Sequence, residues 1–94
     1  MYKKEEILIN NKVLIKLIVP EIDNSYDVYL PVNRKIGSII NLLNKTVAEL
    51  SNNEFPISTT NTLYNSKTGE QYMPDVLLIN TDIRNYSNLV LLSK

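Results

Sequence analysis

The 94-residue chain contains no cysteine and no histidine. Without cysteine there is no disulfide framework, no thiol nucleophile and no thiolate metal site, which suits a reducing compartment. Without histidine the commonest general base and the commonest transition-metal ligand are both missing. A Ser-His-Asp arrangement is therefore impossible. Tryptophan is absent, phenylalanine occurs once and glycine twice. Gly37 and Gly69 stand alone, so neither belongs to a phosphate-cradling loop. Net charge is also lacking: ten Lys and Arg balance ten Asp and Glu. Such a balance exerts no long-range pull toward nucleic acid or an anionic membrane. Oxygen-only cation sites need acids clustered at short spacing, and Asp23 to Asp27 is too sparse. Glu5-Glu6, and Asp75 with Asp82, read as solvated surface charge. No cofactor, metal ligand or catalytic residue is expected, and the chain does not read as an enzyme.

What is present is an ordinary globular balance, 44% apolar and 21% charged, at a length that fits one domain. The longest near-apolar stretch, Val13 to Val19, is interrupted by Lys16. It is far shorter than the ~20 residues of a membrane-spanning helix. In Met1 to Asn10 two lysines are followed by two acids and a brief apolar run, unlike a secretory signal. These features predict a soluble protein that stays in the cytoplasm.

Hydropathy patterning lays out the elements. Residues 1–11 form an N-terminal arm or an extra edge strand, and 12–94 form the domain. Lys12 to Val19 reads as a strand ended by Pro20. With the Lys16 ammonium in water, Val13, Ile15, Leu17 and Val19 face the core, while Leu14 and Ile18 face outward. Tyr26 to Pro31 is a second strand, with Tyr26, Val28 and Leu30 opposite in parity to Asp27 and Tyr29. One turn between the two strands makes a hairpin. A helix is expected over Arg34 to Ser51. Asn33 is its N-cap, and Ile36, Ile39, Ile40, Leu43, Val47 and Leu50 form one apolar stripe. Asn52-Asn53 and Pro56 stop it. Thr60 to Tyr64 can form a short strand, Asn65 to Gly69 a turn and Gln71-Tyr72 a very short strand. Asn88 to Leu92 is the final strand, with Val90 and Leu92 opposite in parity to Leu89 and Leu91. The class is α+β, with one long helix on one face of a mixed sheet of four to five strands.

This element order is that of the ubiquitin-like β-grasp. Tyr26, Val28 and Leu30, then Ile36, Ile39 and Leu43, resemble the core of its second strand and helix. Leu78, Ile83 and Leu89 resemble the later core positions. A sharper likeness lies in Tyr26-Asp27-Val28-Tyr29-Leu30-Pro31-Val32-Asn33 running into Ile36-Gly37-Ser38-Ile39-Ile40. It resembles the Asp–apolar–x–Leu–Pro entry into the helix of YukD-like (EsaB-like) proteins. These are small ubiquitin-fold components of Gram-positive type VII secretion systems. A related domain occurs in the membrane channel protein of the actinobacterial systems. Thr81 to Leu91 is similar to the family's closing motif, except that Tyr86-Ser87 stands where Gly-Asp is usual. The resemblance implies a cytoplasmic, non-catalytic accessory or regulatory component that binds membrane-anchored secretion subunits by protein–protein contact, without inserting into the membrane.

Two other classes compete. A ubiquitin-like modifier or sulfur carrier is disfavoured because the sequence shows Val90-Leu91-Leu92-Ser93-Lys94 where those proteins carry Gly-Gly. An unrelated β-grasp interaction module could pair by basic and acidic faces; Lys16 on the first strand could serve the basic side, but no compact acidic cluster supplies the other. For partner binding, strand parity nominates Leu14, Ile18, Tyr64, Val90 and Leu92 on the face opposite the helix. An apolar cluster of that kind can be covered by a partner, by residues 2–9 folding back, or by a second copy in a homodimer. Arg34 and Lys35 join the candidates because cations in a first helical turn oppose the helix dipole by roughly 0.3–1 kcal/mol. Such local conflicts can mark functional surfaces.

Overall fold

The computed structural model describes residues 11–55 and 61–93. The proposed N-terminal arm and its possible fold-back lie outside the described residues, apart from Asn11. Strand β1 (Lys12–Val19) follows the alternation set by Lys16: Val13, Ile15, Leu17 and Val19 are buried and Leu14 and Ile18 half-buried. A 3-10 turn at Pro20–Ile22 and Asp23, at φ +51°, reverse the chain. Aspartate tolerates that left-handed conformation better than most residues. Strand β2 (Asn24–Pro31) then pairs antiparallel with β1, Ile15 opposite Val28 and Leu17 opposite Tyr26.

Helix α1 spans Ile36–Leu50. It starts later than the sequence pattern suggests, and Asn33 does not cap it. Lys35 occupies the N-cap with no side-chain bond. The first amides are satisfied instead by a distant loop: Ile36 N–H donates to Val76 O and Gly37 N–H to Pro74 O, both at 2.9 Å. These carbonyls do the work of a capping side chain and bring negative partial charge to the positive helix end. Gly37 makes room for them, since a Cβ there would sit 3.3 Å from Pro74 O. Arg34 and Lys35 thus precede the helix rather than occupying its first turn, Lys35 at the N-cap and Arg34 one residue earlier, so both still stand at its positive end.

Ile36, Ile39, Ile40, Leu43 and Val47 are buried as the stripe requires, but Leu50 is 54% exposed. The helix ends there, and Asn52 and Asn53 both adopt positive φ. Asn53 N–H returns to Ala48 O at 2.7 Å, a left-handed C-terminal cap that turns the chain back. Phe55, beyond the helix, is buried and joins the core.

Strand β3 (Thr62–Asn65) begins two residues later than expected, and Thr60 lies outside the described residues. Asn65 Oδ1 accepts from Lys67 and Thr68 N–H, and Gly69 takes φ +75° to complete the turn. Gln71 makes only an isolated bridge with Tyr64, so Gln71-Tyr72 is not a strand. Leu78, at the start of a 3-10 turn (Leu78–Asn80), and Ile83 are buried. Strand β4 (Asn88–Leu92) enters the sheet parallel to β1 and antiparallel to β3. The strand order β2-β1-β4-β3 with one packed helix is the β-grasp arrangement. One core joins Val13, Ile15, Leu17, Leu63, Leu89 and Leu91 of the sheet to the α1 stripe.

Candidate interaction surface

β4 lies between β1 and β3, so register decides which outward side chains meet. Ile18 stands beside Val90, and Val90 beside Tyr64. Residues directly opposite in paired strands share a face. These three therefore form a row across β1, β4 and β3, spanning about 10 Å of backbone at ordinary strand spacing. Leu92 follows on the same face of β4, opposite Thr62. All four are half-buried. Next to the row is an open groove of about 490 Å³, lined by Lys16, Ile18, Pro20, Asp23, Asn24, Ser25 and Asn88.

Leu14 does not join this row. Lys16 and Asn88 stand paired between it and Ile18, and Asp27 faces Lys16 from β2. Four residues of strand put Leu14 about 13 Å from Ile18. Its neighbour is Tyr29, which is 64% exposed. The outward face thus has two apolar ends separated by a polar belt. Parity along one strand could not reveal this, because parity assigns faces and not neighbours.

Tyr86 adjoins the Leu14 end. Its N–H donates to Leu14 O at 2.6 Å, while Asn85 Oδ1 accepts Leu14 N–H at 2.8 Å. Tyr86 takes φ +72°, so the position where the resembling family carries glycine does demand a left-handed backbone. Its ring is 77% exposed. A bulky residue held in that region is strained, and strain of this kind concentrates at functional positions.

Arg34 and Lys35 belong to a separate surface at the start of α1. Arg34 O accepts Leu78 N–H, and Lys35 bridges Leu77. Exposed Leu77 and Ile79 flank them, an apolar neighbourhood the sequence reading missed because both fall in an irregular stretch.

Chemistry-bearing clusters are sparse. Among the described residues no group of three or more carboxylates is placed to hold a metal ion. None of the described helices is long and apolar enough to cross a membrane. A polar cluster of Asn65, Tyr72 and Asp82 braces the turn after β3 against the loop before β4. Its effect on titration is to push the Tyr72 phenol up to about 12, mainly through burial and then through its bond to the Asp82 carboxylate. The buried pair Asn44 and Asn61, joined at 2.6 Å, ties α1 to the approach to β3.

No family model matches the sequence. No curated protein matches it either. Solved structures do. A chain of the MycP5-free ESX-5 inner membrane complex superposes with a TM-score of 0.72 at 18% identity, over 87% of this chain and 21% of that one. This protein therefore spans about a fifth of that relative. The EccD5 ubiquitin-like domain from Mycobacterium xenopi gives 0.69 at 17% identity, covering 86% of this chain and 92% of that domain. The ubiquitin-like domain of EccD1, a type VII secretion system protein of Mycobacterium tuberculosis, gives 0.67 at 13% identity, with 87% and 98% covered. At these identities the likeness is one of fold, and the fold of this chain is the ubiquitin-like β-grasp.

Proposed function

We propose that this chain is a non-catalytic, non-conjugating ubiquitin-fold accessory or regulatory protein of a bacterial type VII secretion system, of the YukD-like (EsaB-like) kind. It acts in the cytoplasm of a Gram-positive cell by binding the cytoplasmic portions of membrane-anchored secretion subunits. The observation that carries this reading is the row Ile18, Val90 and Tyr64, continued by Leu92, on the sheet face turned away from α1. Apolar and aromatic side chains on a preformed sheet offer contact area at little ordering cost. The polar belt of Lys16, Asp27 and Asn88 adds directional contacts beside it. The Leu14–Tyr29 end and the Arg34–Lys35 surface are secondary contacts in this reading. Support for the secretion context comes from the Asp27–Leu30–Pro31 entry into the helix and from the likeness to ubiquitin-like domains of secretion-system proteins.

The test uses the full chain and the purified cytoplasmic domains of the secretion-system membrane proteins of its host. The wild-type protein is expected to bind one of them. Tyr64→Asp with Val90→Asp is expected to abolish binding while leaving a cooperative melt, because the charges fall on the outward face. A folded double variant that still binds removes the row as the site. Absence of binding by the wild-type chain removes the secretion reading. Adducts formed through a C-terminal carboxylate on incubation with ATP and host lysate would favour a modifier instead.

A further inference from the structure

The sheet's two outer edges differ. The edge of β3 is covered: Tyr72 N–H donates to Leu63 O, and Asn65 N–H to Glu70 O, each at 2.9 Å. At the other edge, no strand among the described residues lies outside β2. The phase of the ladder shows which groups of β2 face outward. Lys16 N–H donates to Ser87 O, and Leu14 O accepts from Tyr86 N–H, so these two residues direct their peptide groups toward β4. Alternation then turns Val13, Ile15 and Leu17 toward β2, where they meet Leu30, Val28 and Tyr26. Val32 N–H on Asn11 O has the same phase. Ser25, Asp27 and Tyr29 therefore present their peptide groups outward.

That open edge is short and bracketed. Ser25 N–H is already taken by Asn24 Oδ1 at 2.9 Å. Pro31 has no N–H to offer. Two outward donors remain among the described residues, Asp27 and Tyr29, one on each side of Val28.

We propose that two copies of the chain pair antiparallel along β2 about a two-fold axis through Val28, joining their four-stranded sheets into one continuous sheet. In this register Asp27 N–H donates to Tyr29 O of the second copy, and Tyr29 N–H donates to Asp27 O; the two-fold repeats both bonds. The donor pair maps onto itself, as an isologous contact requires. On the outward face each Asp27 carboxylate meets a Tyr29 ring. On the helix side Val28 meets its own symmetry mate, and Tyr26 meets Leu30. Competing registers fail. An axis at Asp27 sets two carboxylates directly opposite each other, which is destabilising. An axis at Tyr29 sets Asp27 against the N–H-less Pro31, and one at Tyr26 sets Asp27 against the occupied Ser25 N–H. With so few donors the pairing is weak and depends on concentration.

The chain lacks cysteine, so single introduced cysteines report the register. Val28 would sit in a non-hydrogen-bonded pair with its mate, at a Cα separation of about 4.5 Å, within disulfide reach. Asp27 of one copy lies diagonal to Asp27 of the other, at about 8–9 Å, beyond it. Under mild oxidation of the full chain, Val28→Cys should give disulfide dimers faster than Asp27→Cys, although Asp27 is the more exposed. Sedimentation of the wild type should show dimer growing toward about 1 mM protein, the range of weak complexes. Tyr29→Pro removes an outward donor without touching the β1 ladder and should shift the population to monomer, with folding checked by circular dichroism. A wild type that stays monomeric throughout, or Asp27→Cys cross-linking as fast as Val28→Cys, overturns the proposal. If Tyr29→Pro does not fold, the two cysteine variants decide.

Discussion

Tyr72 donates its phenolic O–H to Asp82 Oδ1 at 2.7 Å, and Asn65 Nδ2 reaches both partners at 3.2 Å. Burial and the adjacent carboxylate both disfavour the phenolate, while the Asn65 bond works the other way; the phenol pKa rises from 10.0 to about 12. In the unfolded chain the phenol returns to about 10. Because the folded value is raised, the folded state holds this proton more tightly. The stabilisation is complete below pH ~10 and is lost as pH climbs toward 12. A difference titration of phenolate absorbance between wild type and Tyr72→Phe should isolate a transition near 12. Asp82→Asn should lower it without restoring 10.0, because burial persists. A Tyr72 transition at 10.0 in the wild type would show the three-residue brace does not form in solution.

Asn44 and Asn61 are 2% and 4% exposed, and Asn61 Nδ2 donates to Asn44 Oδ1. The Asn61 Oδ1 has no partner, so the Asn44 bond is what the structure gives that amide. Asn44→Ala therefore strands a buried polar group and should cost about 1–3 kcal/mol in urea unfolding. Asn61→Ala in the Asn44→Ala background should cost much less than in wild type. Additive losses would mean that the two amides do not act as a pair.

Tyr86 pays for its left-handed backbone without much burial in return. Tyr86→Gly removes the Cβ clash and should stabilise the fold by up to ~1 kcal/mol, the remainder being offset by the freer unfolded chain. Thermal melts measure the sign. If the same variant weakens partner binding, the strain is held for the ring's sake. A clear loss of stability would show that the ring packs more than its exposure suggests.

Legibility followed the reach of each interaction. β4 was read to the residue because Leu89 and Leu91 alternate with Val90 and Leu92, and a sheet with one buried face enforces that period. The α1 stripe from Ile36 to Val47 was equally plain. Its ends were not. Asn33 looked like a cap, yet the helix amides bond to carbonyls of Pro74 and Val76, nearly forty residues away. Leu50 fitted the stripe but falls on the final helical residue and is exposed, while Phe55 beyond it is buried. Among the outward candidates, Ile18, Val90 and Tyr64 came together and Leu14 stood apart.

Composition and periodicity alone committed the chain to an α+β element order, strand parity and a surface without histidine or cysteine chemistry. These follow from residue type and from patterns closed within a single element. Only the tertiary structure decided the register in which β4 lies between β1 and β3, which set Ile18 beside Val90 and Val90 beside Tyr64. Only it showed, through the phase of the ladder, that Asp27 and Tyr29 turn their peptide groups away from β1. Register between distant strands comes from burying the whole apolar face at once, and no window of sequence contains both partners.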